Sequence, residues 1–187
     1  MNSYKALSIQ KFSVGNYSIV PIRLKDRMDI LKWRNEQIYH LRQNAPLTEI
    51  DQENYFSNVI SKIFDLDQPK QILFSYLENE ICVGYGGLVH INWIDKNAEI
   101  SFIMNTALEN EYFDFHWKNY LKLIERVAFN NLCLNKIFIY AFDLRPHLYT
   151  AIEDQSYIKE ATLKDHCLFN NKYIDVLIYS KFSSNEK

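Results

Sequence analysis

Two titratable side chains fall inside one glycine-rich, strand-like stretch, residues 81–104, and they raise the question of chemistry. Glu99 is a lone carboxylate in the run 98–104, and His90 lies one strand earlier. Either group could serve as a general base, and the ordinary pKa of histidine suits proton transfer near neutral pH. On strand alternation Glu99 shares a face with Ser101 and Ile103, opposite Ala98, Ile100 and Phe102. Read alone, Glu99 is equally a carboxylate on a solvated sheet face, and a single strand histidine is more often structural. The same stretch holds Gly84, Gly86 and Gly87, three of the chain's four glycines, which mark a bend, a bulge or a close approach of backbone. The histidines show no metal-ligand spacing with cysteines or acids, so no metal is expected.

The elements that must hold these residues follow from periodicity. Residues 17–22 alternate as a first strand that Pro21 ends or kinks. Asp26 caps a helix through Met28, Ile30, Leu31 and Trp33. Thr48 opens a second helix, with Asp51 in the capping-box position and Phe56, Val59, Ile60 and Ile63 at helical spacing. Strands are expected over 71–77, 81–93 and 98–104, with polar turns at 78–80 and 95–97. A third helix starts near Asp114 and carries Leu121, Ile124, Val127 and Ala128 on one face. A strand over 136–142 and a short helix over 147–155 after Pro146 come next. Two closing strands, 157–169 and 173–182, join at Asn170-Asn171. The order β-α-α-β-β-β-α-β-α-β-β points to an α+β fold with a mixed sheet.

At 187 residues, 48% hydrophobic and 15% aromatic, the chain suits one domain, with residues 1–16 as an N-terminal extension and 183–187 as a frayed tail. A formal charge of -2 gives no reason to expect nucleic acid or an anionic membrane as partner. No apolar run reaches bilayer length, the N-terminus lacks a signal-peptide core, and Cys82, Cys133 and Cys167 read as free buried thiols. A cytoplasmic protein is expected, with self-association left open.

Four pieces in sequence carry a family resemblance: Trp33-Arg34-Asn35, the strand GYGGLVHINW, Ala98-Glu99-Ile100-Ser101, and the ending LKDHCLFNNKYIDVLIYS. Over residues 17–182 the chain resembles the GNAT N-acetyltransferases, and within them the branch that acetylates ribosomal-protein N-termini. The resemblance implies a mixed, mostly antiparallel sheet of about seven strands flanked by about four helices, with a V-shaped split between strands four and five. It implies acetyl-CoA or a longer acyl-CoA as co-substrate, its pantetheine arm lying in that split against the backbone of Phe102, Ile103 and Met104. Because the family often places an active-site acid in this strand, the resemblance makes Glu99 the first candidate base, with His90 second on its own chemistry. The pyrophosphate normally sits on a glycine-rich loop at the next helix N-terminus, where N–H groups and the helix dipole stabilise an anion. Here the corresponding segment, EYFDFHWKN (111–119), has no glycine, and Asp114 reads as the N-cap. His116 and Lys118 are then expected to lend the charge. A second departure is RPHLYTAIEDQSY (145–157): Arg145 stands at the family's pantetheine-contacting Asn, and Ile152 at its thiolate-protonating Tyr. Tyr149, one helical turn earlier, is the available substitute.

The first helix of this fold commonly overhangs the acceptor. Arg34 would meet an anionic acceptor there, flanked by Arg42, with Trp33, Trp93 and Tyr85 as an apolar wall. The resemblance extends most to members that acylate amino sugars carried on nucleotide diphosphates, for lipopolysaccharide or other surface-glycan synthesis. The alternatives are acetylation of protein N-termini or of an aminoglycoside, and a non-catalytic domain that kept the fold and lost coenzyme A.

Overall fold

Three consecutive apolar strands, joined by the two-residue turn 79–80 and the four-residue turn 93–96, make the centre of the molecule: β3 (Ile72–Glu78), β4 (Ile81–Asn92) and β5 (Asn97–Met104), after β1 (Phe12–Val14) and β2 (Tyr17–Pro21). The computed structural model of the chain describes residues 2–184. Later in the chain come β6 (Lys136–Phe142), β7 (Ile158–Phe169) and β8 (Lys172–Phe182), and the eight strands form one sheet in the order β1-β2-β3-β4-β5-β6-β8-β7. Every neighbour is antiparallel except the pair β5 and β6.

That parallel pair is short. Asn97, Ala98 and Glu99 lie opposite Lys136, Ile137 and Phe138, and the pairing stops there. β6 stays with β8 along its whole length, from Lys136 opposite Phe182 to Phe142 opposite Val176. The sheet therefore splits between the strands that the resemblance implies, and the divergence begins at Glu99.

Helices cover the sheet. The principal ones are α1 (Arg27–Glu36), α2 (Glu49–Tyr55) running through a wide π turn (Phe56–Ile60) into the single turn α3 (Ser61–Ile63), α4 (Glu109–Glu125) and α5 (Pro146–Glu153). The expected capping box at α2 is present: Thr48 accepts from the Asp51 N–H and the Asp51 carboxylate accepts from the Thr48 N–H. The apolar face of α4, with Phe113, Trp117, Tyr120, Leu121 and Ile124, packs into the core. No described helix is long and apolar enough to cross a membrane.

The sheet has eight strands where about seven are expected, because Gly15 at φ 55° lets β1 fold back on β2. Two other expectations need correction. The N-terminal extension is part of the core: Tyr4 is buried and its hydroxyl donates to the Leu73 carbonyl at 2.8 Å. The closing hairpin turn is as expected, with Asn170 and Asn171 both at positive φ. Of the expected frayed tail, the Ser183 N–H donates to Asn135 at 2.9 Å, and residues 185–187 lie outside the described part. Cys133 is exposed rather than buried, and all three thiols are free.

The strand glycines mark close approach. A Cβ at Gly86 would lie 2.0 Å from the Ser101 carbonyl oxygen and 2.7 Å from the Tyr120 hydroxyl. At Gly87 it would lie 2.0 Å from the Ile72 carbonyl oxygen. Backbone cannot yield there as a side-chain tip can, so Gly86→Ala should cost about 3 kcal/mol, read as a lower urea midpoint. An unchanged midpoint would show that β4 and β5 are not pressed together at that position.

Candidate active site

Where β5 and β6 part, a cavity of about 200 Å³ opens between them. Its floor is Glu99, Ile100, Ser101, Phe102 and Ile103 from β5, and its other wall is Ile139, Tyr140, Ala141 and Phe142 from β6. Trp117, Leu148 and Arg145 close one end, while Arg34, His40 and Arg42 overhang it from α1 and the segment after it. Beyond Glu99, β5 has no strand partner on this side, so part of its backbone edge is available to a ligand.

Glu99 sits at the apex of the split, as the last paired residue of β5. Its face is covered, so it is only 6% exposed. Burial pushes its carboxyl pKa up, and the opposing pull of Arg42 and His90 does not cancel that. Arg42 donates from Nη2 to Glu99 Oε1, and the Arg42 guanidinium lies 4.6 Å from the centroid of the Tyr140 ring. His90 Nε2 is 3.8 Å from Glu99 Oε2, and its side chain is 68% exposed. His90 reaches that place because β4 shifts register between Val89 and Asn92, with His90 at φ 50°. A non-glycine residue held in that region costs of order 1–3 kcal/mol, and such strain collects at functional sites. The two candidate bases thus stand side by side, one buried and one facing solvent.

A second cavity of about 380 Å³ adjoins α1 and α2. Ile22, Ile30, Leu47 and Phe56 make it apolar, and Tyr55, Tyr85, Gln52, Asp51 and Arg34 supply polar groups. Arg34 belongs to both cavities. Its guanidinium is engaged within the protein, donating to the Tyr85 hydroxyl at 2.7 Å and twice to Gln43 Oε1, at 2.8 and 3.1 Å. The hydrogen bonds with Thr48 hold the Asp51 carboxyl below its usual pKa, so it stays ionised.

Several expected site residues stand elsewhere. α4 starts at Glu109, five residues before Asp114, because the Asn105 side chain accepts from the Ala107 N–H and begins a lead-in turn (Thr106–Leu108). Asp114 is then not a cap: it lies in the second turn and pairs with Lys118 at 2.8 Å. Lys118 also holds Asp154 at 2.7 Å. His116 is 2% exposed, its Nδ1 lies 3.2 Å from the Tyr76 hydroxyl, and burial lowers its pKa. Neither side chain is at the helix N-terminus where a pyrophosphate would need it. Met104 does not line the cleft, and its carbonyl accepts from Gln37 Nε2 at 2.8 Å. Tyr149 is outside the cleft lining: its hydroxyl donates to Asp143 at 2.9 Å, and burial raises its pKa. Trp33 is packed in the core, and Trp93 donates to the Pro69 carbonyl at 2.9 Å; neither lines either of these two cavities.

Sequence reasoning did not single out His40, Ser101 or Tyr140. Tyr140 is pushed up to about 12 by burial and the neighbouring Cys167 thiol, so its hydroxyl stays protonated. The period-two pattern of 136–142 places Tyr140 on a face, but only the parting of β6 from β5 puts that residue in the cleft lining.

Residues 19–178 match the acetyltransferase (GNAT) domain model. None of the curated protein sequences matches the chain. Among solved structures, the chain is similar to the spermidine N-acetyltransferase of Vibrio cholerae in complex with CoA and spermine. The TM-score is 0.77 at 16% identity, covering 91% of this chain and 98% of that one. A dodecameric form of spermidine N-acetyltransferase from the same organism gives 0.74 at 17% identity, covering 91% and 96%.

The electrostatics of the apex give a direct test. Arg42 lowers the proton affinity of Glu99, so Arg42→Ala should raise the Glu99 titration midpoint further. Carboxyl-carbon NMR, assigned with Glu99→Gln, reads this, and a midpoint that falls or stays put contradicts the pairing.

Proposed function

The chain belongs to the GNAT acetyltransferase family and is an acyl-CoA-dependent N-acetyltransferase; on that premise we propose that it acetylates a primary amine of a small cationic acceptor, of polyamine or aminoglycoside type, with Glu99 as the base. The observation that carries this reading is the buried Glu99 at the apex of the β5–β6 split, with His90 beside it. Acetyl-CoA supplies the acyl group as an activated thioester. The cleft suits its pantetheine arm, with apolar side chains of Phe102, Ile103, Trp117, Ile139 and Leu148 and an unpaired strand edge.

An ammonium group must lose a proton before it can attack, and a carboxylate in a dry apex takes that proton more readily than an exposed one. Burial raises the proton affinity of Glu99. The exposed His90, 3.8 Å away, offers the proton a way onward to solvent. Backbone groups of β5 along Ile100–Ile103 line the cleft and are the available donors for charge developing on the acyl oxygen.

The acceptor class rests on the second cavity. Its ionised Asp51 suits a cation, and its one cation, Arg34, is already engaged by Tyr85 and Gln43. Arg42 is likewise engaged, by Glu99. A diphosphate acceptor needs free cationic donors, so a nucleotide-linked amino sugar has less support than the sequence motifs suggest. The likeness to a spermidine N-acetyltransferase speaks for the fold alone at this identity, so the choice of acceptor rests on the cavity.

The reading is tested by offering spermidine, kanamycin, N-terminal peptides and UDP- and dTDP-linked amino sugars with acetyl-CoA. Turnover of a polyamine or aminoglycoside, reduced about 10²-fold by Glu99→Gln at neutral pH, is the expected outcome. Turnover confined to nucleotide sugars would replace the acceptor, and full activity of Glu99→Gln would replace the base.

A further inference from the structure

The end of the cleft remote from Glu99 holds a charge cluster that the acyl-transfer chemistry does not use. Arg145 is the N-cap of α5, and its side chain is 12% exposed. Its Nη1 lies 3.9 Å from Oε1 of Glu109, the first residue of α4, so the starts of two helices meet here. The same Nη1 lies 3.3 Å from His40 Nε2, and the guanidinium carbon is 5.8 Å from the Phe113 ring centroid. Both Arg145 and His40 line the cleft. Burial and the neighbouring arginine lower the His40 pKa to about 3, so its ring is neutral. A neutral ring nitrogen accepts from Arg145 or donates to Gln37 Oε1, also 3.3 Å away, one at a time.

The usual anion cradle is closed in this chain. The first turn of α4 carries Glu109 and Glu111 and no glycine. The turn before it is tied to α1: the Thr106 hydroxyl donates to Glu36 at 2.6 Å, and Gln37 donates to Thr106 Oγ1 at 3.1 Å. His116 and Lys118 are engaged elsewhere, as described above. A cation that faces the cleft from this end is Arg145, and among the described residues its side chain has one hydrogen bond and one carboxylate partner. A guanidinium has five donors in a planar fork that matches phosphate, so most of its capacity is open.

We propose that Arg145, oriented by His40, binds the pyrophosphate of coenzyme A in place of the missing glycine-rich loop, with Glu109 as the counterion that the phosphate displaces. The proposal rests on the reading that acyl-CoA lies in the β5–β6 split. It gives Arg145 a role on phosphate, distinct from the pantetheine contact that its alignment with the family's Asn implies. It also accounts for a nearly buried cation whose carboxylate partner stands off at 3.9 Å, a costly arrangement for stability alone.

Calorimetry of the whole protein with coenzyme A and with pantetheine, which has no phosphate, separates the outcomes. Arg145→Gln should weaken coenzyme A by about tenfold or more, leave pantetheine unchanged, and flatten the salt dependence of coenzyme A binding. Arg145→Lys should recover part of the loss, and Lys118→Gln should bind as the wild type does. Glu109→Gln should tighten coenzyme A binding, and it decides the matter where Arg145→Gln does not fold. Equal losses for coenzyme A and pantetheine, or no loss in Arg145→Gln, overturn the phosphate role, as does unchanged binding in Glu109→Gln. A wild-type protein that binds no coenzyme A at millimolar concentration instead overturns the underlying placement of acyl-CoA.

Discussion

The rest of the structure depends on the divided allegiance of one strand. β6 pairs with β8 from end to end but with β5 only across from Asn97, Ala98 and Glu99. A strand fully hydrogen-bonded on one side cannot also follow a neighbour that turns away, so β5 is left with an open edge beyond Glu99. That edge is an exposed ladder in the middle of a sheet, which proteins otherwise cover or pair. Here α1, α4 and α5 close over it to leave a lined cleft, with the last paired residue, Glu99, at its apex. On its other side β5 is held by the β4 ladder, against which Gly86 sits close to Ser101.

Charge is distributed along this cleft in a consistent way. At the apex, desolvation of Glu99 outweighs the attraction of Arg42 and His90, which leaves a carboxylate with raised proton affinity. Arg42 is half exposed, so solvent screens part of its hold on the buried Glu99. At the far end the balance is reversed, and the cation Arg145 is the buried group while neutral His40 orients it. On the proposed reading, the proton acceptor stands at one end of the cleft and the anion receptor at the other, as the two ends of an acyl-CoA reaction require.

Most of the elements were legible in the sequence because their periodicity and caps are strong. The Thr48–Asp51 box, the central three-strand meander and the Asn170-Asn171 turn all fold as their residues indicate. The start of α4 was misplaced because Asp114 is a good N-cap residue, whereas the true start depends on the weaker signal of Asn105. Glu99 and His90 were legible as candidates. What sequence could not show is their meeting, which needs a bulge at His90 that no glycine announces. His116 and Lys118 stand away from the helix N-terminus for the same reason as Asp114, since the earlier start places all three inside α4, where His116 is buried and Lys118 pairs with Asp114 and Asp154. His40 and Tyr140 became visible only through tertiary pairing, because neither sits in a motif.

Amide hydrogen exchange, followed by NMR with and without coenzyme A, measures the open strand edge itself. In the free protein, the amides of residues 100–104 that face away from β4 should exchange fast, while those of residues 97–99 stay protected. Coenzyme A should slow exchange along 100–103 and leave the β6–β8 ladder unchanged. Protection of 100–104 as strong as that of 97–99 before any ligand is added would mean that the strands are paired throughout. The cleft on which this account depends would then not exist in solution.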